Sequence, residues 1–230
     1  MNNIRILTPI VGPLNFPPKE LLGDNLNVDF TLIDEGPKSI ESLWEETWCV
    51  PGLLRAGKEA QEAGIDGVVI DCMGDPGLDV LREVLSIPVL GPAQIAMGIA
   101  ATLGRKFSLV TVLDRTRPMM EDLVRKYGLE TRYAGTEVVP ISVLSFGDDP
   151  AESVALVKAS ARRAVEELRA DVVVLGCTGW TGMGQEIGHY LQEIDYPVPV
   201  IDPLPLTVQV LDSLLSQGLG HSKKAYPFPK

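Results

Sequence analysis

Two cysteines close similar apolar runs in this chain. The first run is Gly-Val-Val-Ile-Asp-Cys-Met-Gly, with Cys72 and Gly74 at its end, and the second is Val-Val-Val-Leu-Gly-Cys-Thr-Gly, with Cys177 and Gly179. A strand followed by Cys-x-Gly and a helix-like stretch places each thiol near free helix N–H groups and positive potential. That setting lowers a thiol pKa and makes the thiolate accessible near neutral pH. Gly74, Gly176 and Gly179 let the backbone come close to a carbonyl or carboxylate, and Thr178 adds a hydroxyl beside Cys177. A base together with donors for an enolate oxygen is the equipment for taking a proton from a carbon next to a carbonyl.

The two cysteines belong to an internal repeat. After each one comes a helical stretch and then a short apolar run ending in proline: Pro88-Val89-Leu90-Gly91-Pro92 and Pro199-Val200-Ile201-Asp202-Pro203. A further helical pattern closes each half, through Gly104 and Gly218. A lone cysteine at a strand end is ordinarily a small buried hydrophobe. Two at equivalent places in a repeat point to a pair of acid/base groups on opposite sides of one substrate. Cys49, with no glycine turn after it, reads as packing.

Other chemistries find little support. Neither repeated cysteine lies in a Cys-x-x-Cys pair and the histidines are His189 and His221, so no metal site is expected. No histidine lies in a setting that marks a Cys-His nucleophile. No Gly-x-Gly-x-x-Gly follows the first strand and no Walker loop is present, so no nucleotide and no cofactor are expected. Ser39 and Ser42, in the stretch Gly36–Ser42, serve either as substrate contacts or as helix caps. Thr111 either faces the cleft or satisfies the backbone where its strand stops.

The chain of 230 residues carries a net charge of −11, which argues against a nucleic-acid partner. Three cysteines do not form a secreted disulfide framework. With no signal-peptide pattern at Met1 and no apolar stretch of membrane-spanning length, a cytoplasmic protein without membrane association is expected.

Strand-like runs at Ile4–Leu7, Val28–Ile33, Gly67–Cys72, Val89–Leu90, Phe107–Val112, Glu137–Ile141, Val172–Gly176 and Val198–Ile201 alternate with helical patterns. This order means an α/β fold with mostly parallel sheets flanked by helices. The clearest helix is Ala151–Arg169, opened by Asp149-Pro150 as N-cap and first residue. Asp75-Pro76 is expected to open the helix after Cys72 in the same manner. The repeat divides the chain into two similar lobes, 1–95 plus 206–230 and 96–205. The tail from Gly218 reads as extended or loosely ordered.

These residues resemble the aspartate/glutamate/hydantoin racemase superfamily, and within it the hydantoin and allantoin racemase branch. The pieces that carry the resemblance are Gly36-Pro37 with Ser39-Ile40-Glu41-Ser42, Cys72 to Leu78, Phe107 to Thr111, and Leu175 to Gly179. It implies two pseudo-symmetric α/β lobes with the active site in the cleft between them, and a cofactor-independent racemase in which Cys72 and Cys177 act as opposed acid and base on a hydantoin-like or amino-acid-derived small molecule. It makes Thr8, Ser39, Gly74, Asp75, Thr111, Thr178 and Gly179 the candidate substrate-binding residues, and a homo-oligomer is expected. Two other enzyme classes are a maleate-type cis-trans isomerase and an arylmalonate-type decarboxylase. A binding protein whose cysteines only pack is the non-catalytic alternative. Thr8-Pro9-Ile10 stands where hydantoin racemases usually carry Asn-Pro-Asn, and Trp180 departs from the usual residue after Gly179.

Overall fold

The computed structural model describes residues 1–13, 16–23, 26–146 and 149–230. In chain order the first half runs β1 (Asn3–Thr8), β2 (Asn27–Leu32), α1 (Leu43–Trp48), α2 (Val50–Glu62), β3 (Gly67–Ile70), α3 (Leu78–Val84) and β4 (Val89–Leu90). The second half runs α4 (Pro92–Leu103), β5 (Phe107–Val112), α5 (Arg117–Lys126), β6 (Tyr133–Val139), α6 (Pro150–Glu166), β7 (Val172–Leu175), α7 (Gly184–Glu193), β8 (Val200–Ile201) and α8 (Pro203–Ser216). The chain divides into two compact units, Met1–Pro92 with Leu204–Lys230, and Ala93–Pro203.

Each unit contains one four-stranded, wholly parallel sheet, ordered β2-β1-β3-β4 in the first and β6-β5-β7-β8 in the second. The continuous apolar runs explain the central strands. Every residue of β3, β5 and β7 is buried, as helices on both faces of a parallel sheet require. The register carries the sequence repeat into three dimensions. Leu7 pairs with Ile70 in one sheet and Val110 with Leu175 in the other. Thr8 is therefore equivalent to Thr111, Asp71 to Gly176, and Cys72 to Cys177.

Helix ends follow the chemistry of their residues. The Asp149 carboxylate accepts the Glu152 N–H at 3.0 Å and caps α6 as expected. The helix stops at Glu166, before Arg169, whose φ of 56° cannot continue it. Gly64, Gly128 and Gly218 take up left-handed φ values of 77°, 68° and 66° just past α2, α5 and α8.

Three expectations are corrected. Asp75-Pro76 does not open α3: Gly77, with φ 67°, precedes the first helical residue Leu78, and Asp75 is itself left-handed at φ 48°. Cys72–Gly77 forms a tight turn instead, with the Asp75 N–H donating to the Cys72 carbonyl at 3.1 Å. β6 starts at Tyr133, earlier than the apolar run at Glu137. It is an edge strand with mostly half-buried residues and a register shift opposite Phe107, so no apolar run marks its beginning.

The tail is not loose. His221 Nε2 lies 2.8 Å from the Val89 N–H on edge strand β4. Lys223 Nζ donates to the carbonyls of Arg82 (2.6 Å) and Leu85 (2.5 Å) at the end of α3. The Arg82 guanidinium stands 5.6 Å from the centre of the Tyr226 ring.

Candidate active site

The first unit supplies Cys72, two residues beyond the end of β3 and half-buried. The Gly74 N–H donates to Cys72 Sγ at 3.4 Å. Gly74 is buried, and a Cβ there would stand 3.4 Å from Glu46 Cδ and Oε2 and 3.6 Å from Cys72 Sγ. The Glu46 carboxylate, carried by α1, thus lies over the glycine next to the thiol. Before the cysteine comes Asp71, whose Oδ2 accepts a hydrogen bond from the Thr8 hydroxyl at 3.0 Å. Thr8 is 2 % exposed at the end of β1, so its hydroxyl orients a carboxylate one residue from Cys72. Asp75 is 3 % exposed, and its carboxylate fills the space beside Gly91, where a Cβ would come within 2.4–2.6 Å of it. Ser39 is half-buried in the loop between β2 and α1, away from the helix start. Ser42 occupies the N-cap position of α1 and its hydroxyl donates to the Glu45 carboxylate.

The second unit supplies Cys177, two residues beyond the end of β7 and also half-buried. A 3-10 turn, Thr178–Trp180, follows it. The turn is closed by the Trp180 N–H on the Cys177 carbonyl at 3.2 Å. The Thr178 carbonyl takes the Thr181 N–H at 3.1 Å and the Thr181 hydroxyl at 2.8 Å. Gly179 is exposed, and a Cβ on it would stand 3.4 Å from Cys177 Sγ. Trp180, 1 % exposed, is buried in the core with Ile187 and Leu191, its ring 5.7 Å from Phe146. It anchors the turn. Asp202, just after β8, accepts the Gly182 N–H at 2.6 Å. In both units, then, a carboxylate lies where the segment after the cysteine meets the segment after the last strand, Asp75 beside Gly91 and Asp202 on the Gly182 N–H.

Two further residues near the thiols have contacts within the fold. Gly176 serves the fold: its N–H donates to the Val110 carbonyl at 2.6 Å, and a Cβ would stand 2.6 Å from that same oxygen. The Thr111 side chain is 1 % exposed and shares a 3.1 Å hydrogen bond with the Thr116 hydroxyl, which in turn donates to the Val112 carbonyl. The Thr111 hydroxyl is thus engaged with Thr116, and it is Thr116 that serves the backbone at the end of β5. Cys49 packs as expected. It is fully buried at the α1–α2 junction, its Sγ donates to the Glu46 carbonyl at 3.1 Å, and burial with the Glu46 charge pushes its thiol up to about 12.

Sequence reading missed Glu46 and Asp71. Asp71 was visible as the residue before Cys72. Glu46 carried no signal, because an acidic residue early in a helix is ordinary. Among the described residues no group of three or more His, Cys, Asp or Glu is arranged to hold a metal ion. The geometry offers two thiols, each past the carboxyl end of a parallel strand and each beside a glycine, a pattern suited to proton transfer at carbon.

Comparison with known proteins gives that pattern a family. The family model described as Asp/Glu/Hydantoin racemase matches residues 18–211. A hydantoin racemase of Pseudomonas sp. (strain NS671) is 38 % identical over 196 residues, covering 85 % of this chain and 77 % of that one. A hydantoin racemase of Rhizobium meliloti is 36 % identical over 195 residues, covering 84 % and 79 %. The solved allantoin racemase from Klebsiella pneumoniae superposes with a TM-score of 0.90 at 30 % identity, covering 100 % of this chain and 94 % of its own. The chain belongs to the Asp/Glu/hydantoin racemase family and is an isomerase of the racemase class.

Proposed function

We propose that this chain racemises a hydantoin-like or amino-acid-derived compound at the carbon next to a carbonyl, without a cofactor, using Cys72 and Cys177 as opposed acid and base. The observation that carries the reading is the equivalence of the two thiols, each two residues beyond the third strand of its sheet and each next to a Cys-x-Gly glycine. The names of the relatives, hydantoin racemase and allantoin racemase, favour a cyclic ureide over a free amino acid.

In this reading one cysteine, as thiolate, removes the α-proton. The negative charge passes to the carbonyl oxygen of a planar enolate, which backbone N–H groups of the two turns stabilise. The other cysteine, as thiol, gives its proton to the opposite face. Thr178 and Gly179 in the second unit and Gly74 and Ser39 in the first are the side chains and backbone offered for substrate contact. Thr8 and Asp75 act through the Cys72 turn, the first by holding Asp71 and the second by packing against Gly91.

Incubating single enantiomers of 5-substituted hydantoins and of allantoin in heavy water tests this. Optical rotation is expected to decay, with one deuterium entering the α-carbon of the inverted product. Decay without deuterium, or carbon dioxide release from an arylmalonate in place of racemisation, sinks the proposal.

A further inference from the structure

β4 is a strand of two residues at the edge of the first sheet, yet it supports one side of the Cys72 turn. Gly91 follows it, and the Asp75 carboxylate fills the place that a Gly91 Cβ would take. Asp75 is the third residue after Cys72, and its N–H closes the turn on the Cys72 carbonyl at 3.1 Å. The other side of the turn runs into α3. There the Leu78 N–H donates to the Asp75 carbonyl at 3.2 Å and the Leu81 N–H to the Gly77 carbonyl at 2.9 Å. The backbone that carries Cys72 is thus set between the end of β4 and the start of α3.

One distant segment grips both supports. At β4, His221 Nε2 lies 2.8 Å from the Val89 nitrogen and from its carbonyl oxygen, and Arg82 Nε, from α3, donates to that same carbonyl at 3.2 Å. At the far end of α3, Lys223 Nζ donates to the Arg82 and Leu85 carbonyls at 2.6 and 2.5 Å. Tyr226 joins the two grips. Its hydroxyl stands 3.4 Å from Arg82 Nη1, and its ring lies edge-on to the His221 ring with centroids 6.0 Å apart. The segment is itself ordered, since the Ala225 and Tyr226 N–H groups donate to the Ser222 carbonyl at 3.0 and 2.9 Å. A two-residue edge strand belongs to the parts of a sheet that open most easily. α3 has seven residues and is a rod of about 10 Å. Fixing its far end against β4 therefore also fixes its first turn, where the Cys72 turn ends.

We infer that His221 is a positioning residue for Cys72: with Lys223 and Tyr226 it locks β4 against α3, and through them it sets the turn that aims the thiol. The inference rests on the two-cysteine reading for the role of the sulfur, and it extends that reading by giving residues 221–226 a part in the reaction. The route runs from His221 to Val89, from Val89 along the chain to Gly91, from Gly91 to the Asp75 carboxylate, and from Asp75 to the Cys72 carbonyl. Every step lies in the first unit. His221 acts on the turn and not on the substrate, so its loss lowers turnover more than binding. A base displaced from its line of attack costs the transition state, while the contacts that hold the ground state remain.

Amide hydrogen exchange of the full chain, resolved residue by residue by NMR, tests the hold on the turn without substrate. His221→Leu removes the acceptor of the Val89 N–H. Protection is expected to fall about tenfold at Val89 and at Asp75 together, the effect of one lost hydrogen bond, while the Gly176 and Trp180 amides of the second unit keep theirs. His221→Gln, whose side-chain amide can take the same N–H, is expected to recover both. With a 5-substituted hydantoin, His221→Leu is expected to lose about tenfold in kcat with KM within about twofold, and His221→Gln to regain most of the kcat. Unchanged protection at Asp75 in a folded His221→Leu overturns the inference. So does an equal loss of protection in both units, the mark of a merely structural role, and so does an unchanged kcat once Asp75 has loosened. If His221→Leu does not fold, Lys223→Met decides by freeing the other end of the grip: protection at Asp75 is expected to fall about threefold, and an unchanged value overturns the inference. If the unaltered protein racemises no ureide, the racemase reading fails, while exchange at Asp75 still judges the hold on the Cys72 turn.

Discussion

At the scale of single residues, the glycines around Cys177 divide into one that serves the fold and one that serves access. Gly176→Ala would drive a methyl to 2.6 Å from a backbone oxygen of β5, which cannot move aside without disturbing the sheet. It is expected to cost about 1–3 kcal/mol in denaturant unfolding, the range for overpacking a filled site. The methyl of Gly179→Ala meets, among the described residues beyond its chain neighbours, the Cys177 sulfur at 3.4 Å. It is expected to unfold within about 0.5 kcal/mol of the unaltered protein yet lose racemisation, because the methyl stands beside the sulfur proposed to react. Equal stability losses in the two variants would contradict this division. Trp180 offers a second residue-scale contrast. Its indole N–H is buried and finds no hydrogen-bond partner among the described residues. Trp180→Phe keeps most of the packing and removes that orphan donor, so its stability is expected to match or exceed the original. Trp180→Ala is expected to lose about 3–5 kcal/mol by emptying the core under the Cys177 turn.

At the scale of elements, the C-terminal tail is a clasp on the first sheet. β4 is an edge strand of two residues, and an uncovered edge is a template for wrong pairing. His221 covers it at Val89, and Lys223 takes carbonyls that α3 leaves unpaired. His221 Nε2 lies 2.8 Å from both the nitrogen and the carbonyl oxygen of Val89, and the neutral ring, unprotonated there, takes the N–H. Burial first, then the Arg82 and Lys223 charges, hold its pKa below the ordinary 6.5. Tyr226 packs edge-on against the same ring. With the folded value below the unfolded one, the unfolded chain binds the extra proton. This contribution to stability is thus complete above pH 6.5 and is lost as pH falls toward the depressed folded value. Because the ring is only partly buried the effect is small, a slight fall in Tm between pH 7 and pH 5. His221→Gln is expected to flatten that part of the pH–Tm curve. A variant with the same slope as the unaltered protein would refute the assignment.

At the scale of the molecule, the same parallel order of four strands occurs twice, and a cysteine ends the third strand each time. If each thiol serves one face of the substrate, the two single variants fail in opposite ways. Cys72→Ser and Cys177→Ser are each expected to lose racemisation by about 10²–10⁴-fold, because a serine hydroxyl does not supply the thiolate. Each surviving thiolate is expected to wash deuterium into one enantiomer without inverting it, and the two variants into opposite enantiomers. Full turnover in Cys72→Ser with a dead Cys177→Ser would mark a single-thiol reaction instead. Cys49→Ala, which alters only packing at the α1–α2 junction, is expected to retain turnover and lose about 1 kcal/mol of stability.

The sequence by itself determined the alternation of strands and helices, the parallel sheets and the pairing of Cys72 with Cys177. Each of these is written in local patterns: buried apolar runs, glycines past helix ends, and a motif that recurs with its flanking elements. It also contained Asp149 as a cap, because a cap acts within a few residues. What depended on distant contacts was not legible. His221 meets Val89 from 132 residues away, and Arg82 meets Tyr226 from 144, so the tail read as loose until the fold brought its partners to it. Asp75 looked like a helix cap beside Pro76, but the fold turns its carboxylate against Gly91 and leaves Gly77 to start the helix. Glu46 looked like one more acid on a short helix. Only the path of the chain from β2 through α1 lays it over Gly74, beside the Cys72 turn.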